Sequence, residues 1–245
     1  MTLRRSPIYN ARLAETPEDL DAAQALRFRA FRGAEGGGRD RDRFDAACDH
    51  MLVEHRASGR LVATYRLLTL TSGAEVERSY SAQFYALGAM EGIAGPIVEM
   101  GRFCVDPDVT DPDVLRVAWG ALARYVDDIG AEMLIGCSSF AGTDEAVYAD
   151  AFAMLRDRHL GPRRWLPKIK APKVFRFAQR LRGVPDPKRA LQSMPPLLRS
   201  YLSLGGWVSD HAVIDHDMNT LHVFTGLSVR DIPPKRARAL RALSA

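Results

Sequence analysis

The run Pro96-Ile-Val-Glu99-Met-Gly101-Arg102-Phe103-Cys104-Val105 decides how the rest of the chain is read. It is mostly apolar, rich in β-branched and aromatic residues, and entered through Gly95-Pro96, which predicts a strand. Glu99 and Arg102 interrupt it, and a charge in a buried strand is costly unless it is paired or used in chemistry. A helix follows at once, with Asp111 as its cap and Pro112 as its first residue. Charges on a strand, followed by a helix N-terminus, suit an anionic carrier with a deprotonation beside it.

Working outward, the 245 residues are expected to form one domain over 1–245, with a basic insertion at 160–195 and a frayed basic tail at 233–245. A 47% hydrophobic fraction suffices for a packed core. No run approaches the roughly 20 apolar residues that span a bilayer, and Met1–Pro7 lacks the apolar stretch of a signal peptide. Cys48, Cys104 and Cys137 lie far apart, which argues against a disulfide framework and against a zinc site. The expected location is the cytoplasm.

The net charge of +4 conceals an asymmetry. Residues 160–190 hold ten Lys/Arg and one acid, a net +9, while the remainder holds 24 basic and 29 acidic residues, a net −5. An acidic partner is expected to dock on that segment, and a solvated arginine-rich loop is the competing reading.

Upstream, Ile8–Leu13 reads as a strand, and Thr16-Pro17-Glu18-Asp19 opens a helix with Leu20, Ala23, Leu26 and Ala30 on its apolar face. Arg27 and Phe31, four apart, share another face. Gly33 to Gly38 predicts a mobile loop, continued by the charged run Arg39–Arg43. His50–His55 and Leu61–Leu68, joined at Ala57-Ser58-Gly59, form the clearest hairpin. Residues 71–95 read as irregular, a length that marks a functional or mobile connection.

Downstream, Leu115, Ala118, Leu122, Tyr125 and Ile129 line the helix that starts at Asp111. Met133–Ser138 is a short strand, and a helix runs from Thr143 to about His159. After the basic segment come a short helix from Pro195-Pro196 to Leu204 and strands at Trp207–Ser209, Ala212–His216 and Val223–Leu227. This order predicts an α/β fold, with a mixed, mostly antiparallel sheet flanked by helices on both faces.

That order, and Tyr201-Leu-Ser-Leu-Gly205 on the helix before the last strands, resemble the GNAT N-acyltransferase superfamily. Arg27-x-x-x-Phe31, Phe44-Asp45 with Asp49, Arg66-Leu-Leu and Glu99-x-x-Arg102-Phe103, in that sequence, resemble the acyl-homoserine-lactone synthases. Longer phrases are closer to a sister family: Phe44-Asp45-Ala-Ala-Cys48-Asp49-His50, Ala63-Thr-Tyr-Arg66-Leu-Leu68, Ser139-Phe-Ala-Gly-Thr-Asp144 and Ala212-Val-Ile-Asp-His-Asp217. These resemble the L-ornithine Nα-acyltransferases, which make lyso-ornithine lipid from a 3-hydroxyacyl carrier protein. Glutamine acyltransferases would share most of these motifs.

The resemblance implies attack of an α-amine on an acyl thioester. The amine is mostly protonated at neutral pH, so a base must take its proton, and Glu99 is the candidate. The competing reading of Glu99 is a structural ion pair with Arg102 or Arg66. Arg102, three residues on, points to the opposite face of a regular strand unless a bulge at Gly101 brings both to one cleft; otherwise it belongs to the scaffold. Arg27, Asp45, Asp49 and Arg66 suit a zwitterionic amino acid, Arg through its bidentate fork, against a reading as surface salt bridges. Phe31 and Phe103 serve as core, pocket or both. Tyr201, with Tyr148 as second candidate, would return a proton to the leaving thiolate, and Cys104 and Val105 would line the pantetheine path.

The loop after the strand, Asp106-Pro-Asp-Val-Thr-Asp111, is acidic and lacks the glycines that cradle a coenzyme A pyrophosphate. It predicts instead an acyl-carrier-protein thioester as co-substrate, docked through Arg163, Arg164 and Lys168, with no cofactor and no metal. The six histidines include no His-x-x-x-x-Asp pair of glycerolipid O-acyltransferases. Expected partners are acyl carrier protein and L-ornithine or a similar amino acid, with no nucleic acid. A peripheral contact with the anionic inner face of the cytoplasmic membrane is a further expectation. Acyl-homoserine-lactone synthesis is the alternative reaction. A non-catalytic module that binds membrane or nucleic acid through 160–190, with Trp165, Phe175 and Phe177 among its basic residues, is the alternative outside enzymes.

Overall fold

The computed structural model describes residues 8–33 and 37–243. Along the chain run β1 (Tyr9–Leu13), α1 (Pro17–Arg32), β2 (Asp49–His55), β3 (Leu61–Leu70), β4 (Tyr85–Ala86) and β5 (Ile97–Val105). Then come α2 (Pro112–Ile129), β6 (Met133–Ala141), α3 (Ala149–Arg158), β7 (Lys168–Ile169), β8 (Val174–Phe175) and α4 (Phe177–Arg180). Last are α5 (Pro187–Ser193), α6 (Pro196–Ser203), β9 (Trp207–Asp215), β10 (Thr220–Ser228) and α7 (Pro234–Leu243).

The chain divides into two compact units, and β5 belongs to both, its residues up to Glu99 in one and those from Met100 in the other. The first unit holds the chain up to Leu68, Met100–Ile129 and the end from Ala237. Its strand order is β1-β2-β3-β5. β1 and β2 are antiparallel from Tyr9↔His55 to Leu13↔Met51, and β2 and β3 form the expected hairpin. Thr16 caps α1 by accepting from the Asp19 N–H. The buried face of α1 is not purely apolar: Gln24 and Arg27 go in with Ala23 and Leu26, while Leu20 and Ala30 are half-buried. On α2 the buried stripe is Val114, Ala118, Leu122 and Tyr125, widened by Trp119 and Val126, so Leu115 and Ile129 fall at its margin.

The second unit holds Thr69–Glu99 and Gly130–Arg236, with strand order β5-β6-β10-β9-β8 and a separate pair β4-β7. β6 and β10 are antiparallel from Met133↔Ser228 to Ala141↔Thr220. One core of this unit gathers Phe140, Phe152, Leu155, Phe175, Phe177, Met194, Leu198 and Val223 around α3. β9 is continuous where two short strands were expected, and the helix expected from Thr143 begins as a 3-10 turn, Glu145–Tyr148, before α3.

Residues 160–195 are built into this unit rather than looped out: β7 pairs with β4, β8 with β9, and α4 and α5 contribute Phe177 and Ala190 to its core. The expected frayed tail is instead the helix α7, whose Arg241 is paired with Asp127 at 2.7 Å. Pro234 at its start presets a helical φ, and Ala and Leu favour the helix that follows. Of the glycine-rich loop, residues 34–36 lie outside the described residues, as do Met1–Pro7 and 244–245. No helix among the described residues is long and apolar enough to cross a membrane.

Candidate active site

Glu99 is buried, 4% exposed, and its carboxylate is held by the connection expected to be irregular. Residues 71–95 are indeed a string of short 3-10 turns, but a packed one, with Val76, Ala82, Tyr85, Leu87 and Met90 buried. Gly73 lets the chain close on itself: its N–H reaches the Ile93 carbonyl at 2.8 Å, and a Cβ there would lie 1.9 Å from the Met90 carbonyl oxygen. The Ser79 hydroxyl accepts from the Ala82 N–H and fixes the next turn. That turn presents the Tyr80 N–H to Glu99 Oε2 at 2.7 Å, and the Ser81 N–H and hydroxyl to Oε1 at 2.8 and 2.6 Å. Cys137 Sγ, on β6, lies 3.3 Å from the Ser81 hydroxyl.

Tyr201 sits on α6 and is buried. Burial first, and then the Glu99 charge, push its phenol far above the usual range, so it stays protonated. The Tyr-x-x-x-Gly spacing has a local cause. Gly205 ends the helix with φ 94°, and the Leu204 and Gly206 N–H groups return to the Tyr201 carbonyl at 3.0 and 2.9 Å. Tyr148 donates to the Ala141 carbonyl at 2.6 Å and packs against Phe140 and Phe152, in the core around α3.

In the first unit, six charges form a network. Arg27, 1% exposed, reaches Asp45 at 2.8 Å and Asp40 at 2.8 Å. Arg66 reaches Asp42 at 2.5 Å and Asp45 at 2.8 Å. Arg102 reaches Asp40 at 3.0 Å and Asp42 at 3.3 Å. Gln24 donates to Asp45, and the His50 ring meets the Asp45 carbonyl. Burial raises the carboxyls of Asp42 and Asp45, but the bonds and charges of Arg66 and Arg27 outweigh it and hold both below the usual range.

The backbone irregularity expected at Gly101 falls on Arg102 itself, with φ 52°, a left-handed conformation uncommon for a side-chain-bearing residue. Asp49 stands apart from the network: it is exposed and accepts from the Tyr125 hydroxyl at 2.6 Å. Phe31 and Phe103 are half-buried, and Phe103 stacks on Tyr65 with centroids 5.6 Å apart. Asp40, Asp42, Gln24 and Ser81 were not singled out from the sequence. The signal for Asp40 and Asp42 was the charged run 39–43, in which arginines and aspartates alternate and mask one another.

Along the rest of β5, Cys104 is buried and burial pushes its thiol up to about 12, so it is inert; Val105 is half-buried. The acid of the following loop is compensated: Arg60 reaches Asp106 at 2.8 Å, Arg29 also contacts it, and both approach Asp108. Plain repulsion of a pyrophosphate therefore loses force. What remains is the use of the N–H groups. Asp106 accepts from the Asp108 N–H at 3.0 Å, and Asp111 accepts from the Asp113 N–H at 2.9 Å while its second oxygen takes the Tyr9 hydroxyl.

Arg163, Arg164 and Lys168 are all exposed. Arg164 lies over Trp165, 4.1 Å from the ring centre, and Trp165 stacks on Trp207. Phe175 and Phe177 are 4% and 0% exposed. They are core residues, so two of the three aromatics expected in a basic membrane- or nucleic-acid-binding module are not at the surface, while Trp165 is half-buried. No cluster of three or more His, Cys, Asp or Glu among the described residues is placed to hold a metal ion.

Residues 26–120 match the acetyltransferase (GNAT) domain model. The chain is 33% identical over 229 residues to the L-ornithine N(alpha)-acyltransferase of Rhodobacter capsulatus, covering 88% of each. It is 32% identical over 247 residues to the protein of the same description from Rhizobium meliloti, covering 94% of this chain and 83% of that one. Among solved structures, FeeM, an N-acyl amino acid synthase from uncultured soil microbes, shares the fold at a TM-score of 0.53 and 13% identity, over 92% and 94% of the two chains.

Proposed function

Since the chain belongs to the L-ornithine Nα-acyltransferases, we propose that it moves a 3-hydroxyacyl group from acyl carrier protein to the α-amine of L-ornithine, giving lyso-ornithine lipid. The observation that carries the chemistry is Glu99: a buried carboxylate fixed by three donors, beside a buried phenol.

Glu99 takes a proton from the α-ammonium, directly or through a water, and the freed amine adds to the thioester carbonyl. Collapse of the tetrahedral adduct breaks the C–S bond. Tyr201, kept protonated by burial and by the Glu99 charge, gives its proton to the leaving thiolate and takes back the second proton of the adduct's nitrogen. This leaves a neutral amide and a protonated Glu99 that returns its proton to solvent. Cys104 forms no acyl intermediate, because its thiol stays neutral. Arg102, with its side chain 14% exposed, is the more open of the three network arginines. Arg27, Arg66 and Asp45 hold the network that orients it.

A carrier-protein donor is supported by the engaged N–H groups of the 106–113 loop and by the exposed cations Arg163, Arg164 and Lys168. The deciding experiment offers ornithine, glutamine and S-adenosylmethionine with 3-hydroxyacyl carrier protein and reads products by mass spectrometry. N-acylornithine is expected; a homoserine lactone or only N-acylglutamine overturns the reading.

A further inference from the structure

The first unit holds a groove that the proposed reaction does not use. Side chains of a strand alternate between its two faces. In β1, Asn10 and Arg12 take one face, where Arg12 is held by Glu54 at 2.8 Å and by Asp19 of α1 at 2.7 Å. Tyr9, Ala11 and Leu13 take the other face, toward α2, and Met51 stands across from Leu13 on β2. Between them and α2 lies a half-open cavity of about 270 Å³. That is close to the roughly 300 Å³ at which small-ligand sites begin. Val117, Ala121, Arg124 and Asp128 recur at helical spacing and form the α2 wall. Ala11 and Ala121 are too short to fill the space between the two walls.

The polar groups of this cavity divide into engaged and unengaged. The Tyr9 hydroxyl donates to Asp111 at 3.0 Å, and the Tyr125 hydroxyl donates to Asp49 at 2.6 Å. Arg124 and Asp128 are exposed, and among the described residues neither side chain makes a hydrogen bond or an ion pair, even with the other. An acid in the last turn of a helix opposes the helix dipole. Asp127 is answered there by Arg241, whereas Asp128 is answered by no described group. The result is an apolar floor beneath one open cation and one open anion, a helical turn apart.

Each simpler ligand meets only part of this arrangement. A free fatty acid answers Arg124 but is opposed by Asp128, and an alkylamine does the reverse. Free ornithine brings both charges and nothing for the apolar floor. An N-acylated diamino acid brings all three: a carboxylate for the fork of Arg124, an ammonium for Asp128 and a hydrocarbon chain for the floor. We propose that the groove between β1 and α2 is a binding site for an N-acylated diamino acid, the class of molecule that the acyl transfer releases. No residue given a step in that transfer lines it. The identity of the ligand rests on the reaction proposed above.

The probe is N-octanoyl-L-ornithine carrying a photoreactive diazirine at the end of its chain. After photolysis on the native protein, peptide mass spectrometry should place adducts on β1 or α2, and excess plain N-octanoylornithine should suppress them. Octanoate and octylamine should compete roughly two- to fivefold less well, the worth of one exposed charge pair. Ala121→Phe fills the cavity and Arg124→Glu reverses its cation. Both should lose these adducts while kcat/KM for ornithine is unchanged. Arg124 is exposed, so its variant keeps the test valid even if Ala121→Phe does not fold. Absence of adducts from β1 and α2 in the native protein overturns the groove. So does their persistence in Arg124→Glu, and so does equal competition by octanoate, which would make this a plain anion site. The product assay keeps the two readings apart. N-acylornithine formed without groove adducts sinks the groove alone, whereas no N-acylornithine formed sinks the reaction reading and the assigned ligand with it.

Discussion

Glu99 receives Ser81 twice on one carboxylate oxygen, from the N–H at 2.8 Å and from the hydroxyl at 2.6 Å. A carboxylate bonded in this way has a fixed plane, which a base aimed at one proton needs. Glu99→Gln keeps the shape and removes the base. It should lower kcat by about 10²–10⁴-fold, the usual contribution of a general base, with circular dichroism showing the fold retained. Turnover within a factor of a few of native would remove Glu99 from the mechanism.

The network around Asp45 makes a contrasting prediction for two aspartates of one motif. Asp45 answers two arginines that are 1% and 3% exposed along their side chains. Asp45→Ala takes one of the two carboxylates from each of those arginines, and the loss of two charged hydrogen bonds should cost about 3–5 kcal/mol. Asp49 is exposed, and Asp49→Ala should cost only about 1 kcal/mol, the worth of its bond to Tyr125. Urea unfolding of the two variants reads the difference; equal midpoints would contradict the network.

How stability changes with pH separates two groups. Burial holds His222, on β10, at about 4 when folded, against 6.5 for the ordinary side chain. Between those values the unfolded chain binds more protons, so stability falls as pH drops from 6.5 toward 4, by about 3 kcal/mol for this residue. Asp42 and Asp45 are held below the usual carboxylate range, so their contribution is present above the unfolded value and is lost only as pH falls through the lower, folded one. Denaturant midpoints measured from pH 7 to 4 should decline, and His222→Phe should flatten that decline; an unchanged slope would disprove it.

The strands, the caps and the charged pair in β5 could be read from the sequence because each rests on local residues. Thr16 caps α1, and Gly205 ends α6, through contacts within a few positions. The partners of the charges could not be read so. Ser81 reaches Glu99 across 18 positions and Asp42 reaches Arg66 across 24, and neither spacing follows helix or strand periodicity. The same holds for Phe175 and Phe177: among basic residues they look exposed, and only the packing of α3 onto β8 and α4 shows them as core. The bulge between β9 and β10 depends on a mismatch between two strands, which neither strand displays alone.

Charge reversal at the exposed cations tests donor docking. Arg163→Glu, Arg164→Glu and Lys168→Glu together should raise the KM for acyl carrier protein about tenfold or more at low salt, with kcat and the KM for ornithine little changed. The effect should shrink as ionic strength rises and the Debye length falls. Unchanged kinetics at low salt would move the docking surface elsewhere.

The 106–113 loop predicts which thioester is used. Asp106 occupies the Asp108 N–H in the loop, and Asp111 the Asp113 N–H at the start of α2, where a pyrophosphate would need free N–H groups. An acyl coenzyme A should therefore show a higher KM than the matching carrier-protein thioester. Arg29 and Arg60 already answer Asp106, so removing acid there would leave unpaired cations; Asp111 is the cleaner position. Asp111→Gly frees the Asp113 N–H and removes a negative charge at the helix start. Gly is itself tolerated as a cap at a cost of only a few tenths of a kcal/mol, and loss of the acceptor of the Tyr9 hydroxyl adds about 1 kcal/mol. The variant should lower the KM for acyl coenzyme A and leave that for the carrier-protein thioester unaltered. A native chain that uses both thioesters equally well would show that the engaged N–H groups do not decide the donor.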